Sequence, residues 1–152
     1  MRCRWHILGA ALIGVVLQGC SGSGERAEGA WGKAIDGVQA MLYSPRAVWK
    51  TGERVEVGVK LRNKTGEIAN FRSSADLILN ISRGDESIAD DVDYVTLAPE
   101  GIKLLPGQLV ALPLRSYPTS AADAKILKGP GVYRFAGRLG KLELPPLDVR
   151  VE

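Results

Sequence analysis

With 152 residues, 45% of them hydrophobic and 24% charged, the chain has room for one packed domain and too much apolar content for a disordered polymer. Its net charge of +3 does not describe a nucleic-acid surface: Arg2 and Arg4 sit at the start, the other 18 basic residues face 17 acidic ones, and no three cations are consecutive. Phosphate backbones are held by clustered cations, so this distribution points away from nucleic acid. Both cysteines, Cys3 and Cys20, lie in the first twenty residues, and the rest must fold by packing without a disulfide.

In chain order, Arg2 and Arg4 precede an uninterrupted apolar run over residues 7–17. A bilayer core takes about 20 residues of helix. A positive start followed by a shorter apolar run is instead the form of a secretion signal. The next residues, Leu17-Gln18-Gly19-Cys20, resemble the bacterial lipobox. The resemblance implies cleavage between Gly19 and Cys20, a diacylglyceryl group on the Cys20 sulfur and acylation of the new terminus. One acyl chain binds a bilayer marginally, whereas two or more hold it stably. Ser21 after the cysteine resembles the pattern sorted, in two-membrane bacteria, to the periplasmic face of the outer membrane. The expected organisation is a signal peptide over 1–19, a lipidated start and tether over 20–36, and one domain over 37–152. The tether reading rests on residues 21–30, which are small, polar and Gly-rich. Ten such residues behave as a coil with a reach of about 15–20 Å.

From Gly37 onward apolar residues recur with period two, the mark of half-buried strands. Val38, Ala40 and Leu42 open the series, and Val55, Val57, Val59 and Leu61 form its clearest member. Leu77, Leu79 and Ile81 follow, then Val110, Leu112 and Leu114, where Pro113 predicts an edge or bulged strand. Tyr133, Phe135 and Leu139 come next, and Leu147, Val149 and Val151 close the chain. Turn residues separate them at 50–53, 63–66, 83–85, 106–107 and 129–131. Only residues 120–128 read as helical, with Ser120 as cap and Gly129 as stop. The pattern predicts an all-β fold, an immunoglobulin-like antiparallel β-sandwich of seven to nine strands.

Trp49-Lys50-Thr51-Gly52-Glu53-Arg54-Val55, leading into a strand that ends at Asn63, resembles the opening of many bacterial immunoglobulin-like domains. Leu105-Pro106-Gly107-Gln108 before a strand, and Gly131-Val132-Tyr133-Arg134-Phe135 in the penultimate one, resemble the same group, which includes the domain named after the BsuPI intracellular proteinase inhibitor. The resemblance implies the fold and, for one branch of the group, protease inhibition.

Catalytic signals are scarce. His6 is the only histidine and leaves with the signal peptide, and Cys20 is lipidated, so the expected mature domain has no imidazole or free thiol. That removes Ser-His and Cys-His nucleophiles and Cys/His metal sites together. The chain therefore reads as non-enzymatic, with no cofactor and no small-molecule substrate. Asp85, Glu86, Asp90, Asp91 and Asp93 form one acidic concentration, expected in a loop. Oxygen-rich loops bind Ca²⁺, but these residues lack the regular spacing of a dedicated loop, and a solvated connection is the simpler reading. Trp31, Trp49 and Tyr43 are the aromatics available for a ligand platform; Trp49 is expected in the core instead, and Trp31 either folds back on the domain or is exposed for a partner. Asn63 and Asn80 each begin an Asn-x-Ser/Thr triplet. The leading expectation is a membrane-tethered module that holds another envelope protein. The alternatives are a protease inhibitor using residues 83–93 or 116–131, and a Ca²⁺ or glycan binder.

Overall fold

Alternation of Val55, Val57, Val59 and Leu61 with polar residues turns one face of a strand inward, and a strand with one apolar face needs a second sheet to cover it. That is the arrangement of the computed structural model, whose described residues are 25–71, 74–96, 100–120, 122 and 124–152. The expected signal peptide over 1–19, Cys20 and residues 21–24 lie outside them. Six strands are long: β2 (Val38–Ser44), β4 (Arg54–Asn63), β6 (Ser74–Arg83), β7 (Glu86–Thr96), β11 (Gly131–Leu139) and β12 (Leu142–Val151). Six are short: β1 (Ala27–Glu28), β3 (Val48–Trp49), β5 (Ala69–Phe71), β8 (Ile102–Leu104), β9 (Leu109–Ala111) and β10 (Arg115–Pro118). The all-β sandwich is thus present, with twelve strands where seven to nine were expected; the surplus consists of two- to four-residue pieces.

One sheet runs β1-β2-β4-β10, with β9 sharing the β10 side of β4; the other runs β3-β12-β11-β6-β7. β5 and β8 form a small separate ladder. All long pairings are antiparallel, while β3 joins β12 in parallel. The two inner faces interdigitate Leu42, Val55, Val59 and Leu61 with Leu79, Ile81, Phe135 and Leu139. Pro113 splits what would be one edge strand into β9 and β10, as its missing N–H requires, and Leu112 keeps the ladder through its N–H to the Val59 carbonyl at 2.8 Å. Asn63 ends β4 by turning its side chain inward: Nδ2 donates to the carbonyls of Glu67 (2.6 Å) and Leu104 (2.9 Å), and Oδ1 accepts from the Thr65 N–H. Those contacts bury Asn63, which removes its triplet as a surface site.

Three expectations need correction. Residues 120–128 contain no helix among the described positions; one 2.6 Å bond from Ala124 N–H to the Ser120 carbonyl closes a single turn. Two turns of helix carry the full nucleation cost, and Leu127 is instead drawn completely into the core. The acidic stretch is strand β7 rather than a loop, because Gly84 and Asp85 make a two-residue hairpin that returns the chain along β6. Residues 25–36, expected as tether, are backbone-bonded along β2: Gly29 N–H to the Leu42 carbonyl and Gly32 N–H to the Ala40 carbonyl, both 2.9 Å. Asp36 (φ 50°) and Gly37 (φ 79°) form the tight turn that joins this segment to β2, an Asp-Gly hairpin signal. Gly32 is there for close approach, since a Cβ would sit 2.2 Å from the Glu143 carbonyl oxygen.

Candidate functional site

On one flank of the sandwich, β7 and the β9–β10 strand are the free edges of opposite sheets. Asp91 and Asp93 stand opposite Leu79 and Leu77 in the β6–β7 register, so they share the inward face with those core residues. Arg115 reaches across from β10 to meet them. Its Nε and Nη2 donate to the two Asp91 oxygens at 2.8 and 3.1 Å, and its Nη1 donates to Asp93. The Tyr117 hydroxyl donates to Asp91 Oδ2 at 2.5 Å, while its ring packs 5.4 Å from Phe135 in the core. One carboxylate therefore receives a forked guanidinium and a phenol, a geometry that is strong because both donors are fixed.

Burial pushes the Tyr117 hydroxyl above the usual tyrosine range, and its hydrogen bond to Asp91 adds to that shift. Burial pulls the Arg115 guanidinium down, but Asp91 and Tyr117 outweigh it and hold the group above its ordinary value. Neutral phenol and charged guanidinium are thus both fixed across the working pH range. Inward charges on an edge strand also guard it against pairing with a stray strand.

Behind this clasp lies a cavity of about 270 Å³. Leu42, Val57 and Val59 line it from one sheet and Leu77 and Leu79 from the other, with Leu112 and Pro113 beside them. Asp93 and Arg115 stand at its mouth. Beside it the inward β7 positions carry Asp91 and Asp93, which pair with Arg115, and Pro113 lies in the break between β9 and β10.

The structure does not bring the five acidic residues together. Asp85 lies in the hairpin turn beside Glu86, Asp90 accepts from Asn80 Nδ2 at 2.7 Å on the outer face, and Asp91 and Asp93 face Arg115. Alternation along a strand sends neighbours to opposite faces, and among the described residues no three ligating side chains converge on a cation. Trp49 is buried, donating Nε1–H to the Arg46 carbonyl at 2.9 Å. Trp31 folds back on the outer face of β4 under the Arg62 guanidinium at 4.0 Å, and Tyr43 lies under Lys60 at 4.8 Å. Each ring therefore carries a cation against one face.

Sequence reasoning passed over Arg115 and Tyr117. Their signal was the matched period-two spacing of Asp91/Asp93 and Arg115/Tyr117, two short polar alternations able to face each other. No family model matches the sequence, and no curated protein matches it. Solved structures that share part of its shape include a Pseudomonas fluorescens alkylpurine DNA glycosylase bound to DNA containing an abasic site analog, at 15% identity and TM-score 0.43, covering 78% of this chain and 31% of that one. A Listeria innocua β-glucosidase with glucose is 13% identical with TM-score 0.39, covering 75% of this chain and 16% of its own. The chain spans less than a third of either protein, and likeness of this order carries no activity across.

A second feature stands at one end of the sandwich. Ile68, Leu105 and Leu109 are 57%, 56% and 50% exposed. Ile68 and Leu105 flank the last pair of the β5–β8 ladder, Ala69 opposite Leu104, and Leu109 follows the Leu105–Gln108 turn. All three lie at the Asn63 end of β4. Glu25 lies at the other end, its carbonyl accepting from the Ala47 N–H at 2.6 Å. A ten-residue strand sets these ends about 30 Å apart.

Proposed function

We propose that this chain is a lipid-anchored envelope protein, bound through Cys20, whose sandwich holds another envelope protein non-catalytically. The observation that carries the reading is polarity: Glu25, the residue nearest Cys20 among those described, lies at one pole, and exposed Ile68, Leu105 and Leu109 lie at the opposite pole. Five residue steps separate Cys20 from Glu25, a span of at most about 18 Å. An anchor there keeps the Glu25 pole beside the bilayer and turns the apolar group toward the compartment, where an apolar patch is a mark of protein contact. Ser21 after the cysteine supports the periplasmic face of the outer membrane. Protease inhibition is the weaker reading, because residues 83–86 and 118–131 meet the Glu25 pole: Tyr133 pairs Arg83 and Gly131 pairs Val151, itself opposite Trp49. An anchored chain would hold those loops against the membrane.

Two experiments test it. Cys20→Ser should abolish incorporation of labelled palmitate and release the chain from membranes; unchanged fractionation contradicts the anchor. A photo-crosslinker at Leu105 should then yield a discrete adduct with an envelope protein, lost on Ile68→Ser. A crosslinker at Val132, exposed on β11, should yield none. Equal adducts from both positions, or none from either, contradict the distal surface.

A further inference from the structure

We propose that the cavity behind Arg115 is a binding site for a small, neutral, apolar molecule, a hydrocarbon chain or single ring, and that the Arg115–Asp91–Asp93 clasp is its gate. Size is the first argument: engineered cavities of about 150 Å³ lined by aliphatic residues take up benzene, and this pocket, partly open at the surface, measures about 270 Å³. Lining is the second. Most of the side chains around it are leucine and valine from both sheets, with Asp93 and Arg115 as the charged members of the lining. Among the described residues no buried side-chain polar atom lacks a hydrogen bond, so an occupant need bring none. The mouth is the third. It presents a guanidinium flanked by two carboxylates, so an anionic head meets Asp91 and Asp93 and a cationic head meets Arg115. Neutral molecules pass this arrangement without a like-charge contact. The clasp is built from side chains that can turn away, unlike a backbone ladder, and Arg115 and Asp93 remain partly exposed at the surface. The site does not depend on the lipid anchor.

The test uses the full-length chain with Cys20→Ser, so that no attached acyl chain competes, and follows leucine and valine methyl NMR signals on addition of toluene or 1-hexanol. Saturable shifts are expected at Leu42, Val59 and Leu79, with hexanoate and hexylammonium at least tenfold weaker than hexanol. Leu79→Phe fills the cavity and should weaken both probes at least tenfold; should it fail to fold, Val59→Leu fills less and should weaken them several-fold. Arg115→Ala should accelerate exchange of bound probe. No saturable shift with either probe overturns the site, and so does undiminished binding in a folded filling variant. Equal binding of hexanoate, or unchanged exchange in Arg115→Ala, overturns the gate.

Discussion

The two flanks of the sandwich are closed by different means. On the β1–β3 flank the seal is backbone: residues 25–35 lie along β2, Gly32 lets the Glu143 carbonyl approach, and β3 crosses to the second sheet beside β12. On the β7–β10 flank the seal is side chain, one guanidinium and one phenol meeting two carboxylates. Backbone closure leaves no room for a side chain. Side-chain closure has a cavity behind it. Strand edges in one fold can thus be finished either as fixed structure or as an opening, and polarity of the inward residues decides which.

The largest expected effect lies on the backbone flank. Gly32→Ala drives a methyl into the Glu143 carbonyl, which should cost about 3 kcal/mol and free residues 25–35 from β2. Denaturant unfolding and proteolysis before Val38 would register both; wild-type stability would show that the flank tolerates a side chain. Next comes the clasp. Arg115→Met leaves Asp91 beside an apolar wall without its cation, at an expected cost of about 2 kcal/mol, below the value for a fully buried pair because Arg115 keeps some solvent contact. Tyr117→Phe removes one hydrogen bond and should cost about 1 kcal/mol. Because folding raises the Tyr117 pKa, the folded chain retains a proton that the unfolded chain loses above about pH 10. Stability is then complete below pH 10 and falls as pH rises beyond it, and Tyr117→Phe should flatten that fall in melting-temperature scans. The smallest effect is Asp148→Asn. This exposed pair with Arg134 should change stability by no more than about 0.5 kcal/mol, although Arg134 holds the carboxyl below its usual range. A larger loss would mean that surface pairs of the second sheet contribute as much as the clasp.

The sequence made the central strands legible and the flanks obscure, for physical reasons. Val55 to Leu61 and Leu77 to Ile81 alternate because one face is buried, and that periodicity survives without any tertiary information. β7 was hidden because its inward positions carry Asp91 and Asp93, which find their partner in an arginine 22 to 24 residues away. Residues 25–35 looked like a coil because Gly29 and Gly32 suit flexible chains and tight backbone packing equally. The Asp36-Gly37 turn was the available sign of ordered pairing there. Residues 120–128 misled in the opposite direction: helix-forming residues and a cap are present, but Leu127 packs better inside the sandwich than on a short helix. Pro113, by contrast, announced its edge position outright, since a missing N–H has the same meaning in any fold.

Hydrogen exchange of the wild type and Arg115→Met tests most directly whether one flank is an opening and the other a fixture. Exchange should quicken for amides of β7 and β10 while those of β2 and β12 keep their protection. A uniform loss of protection across both sheets, or none at β7, would contradict the account.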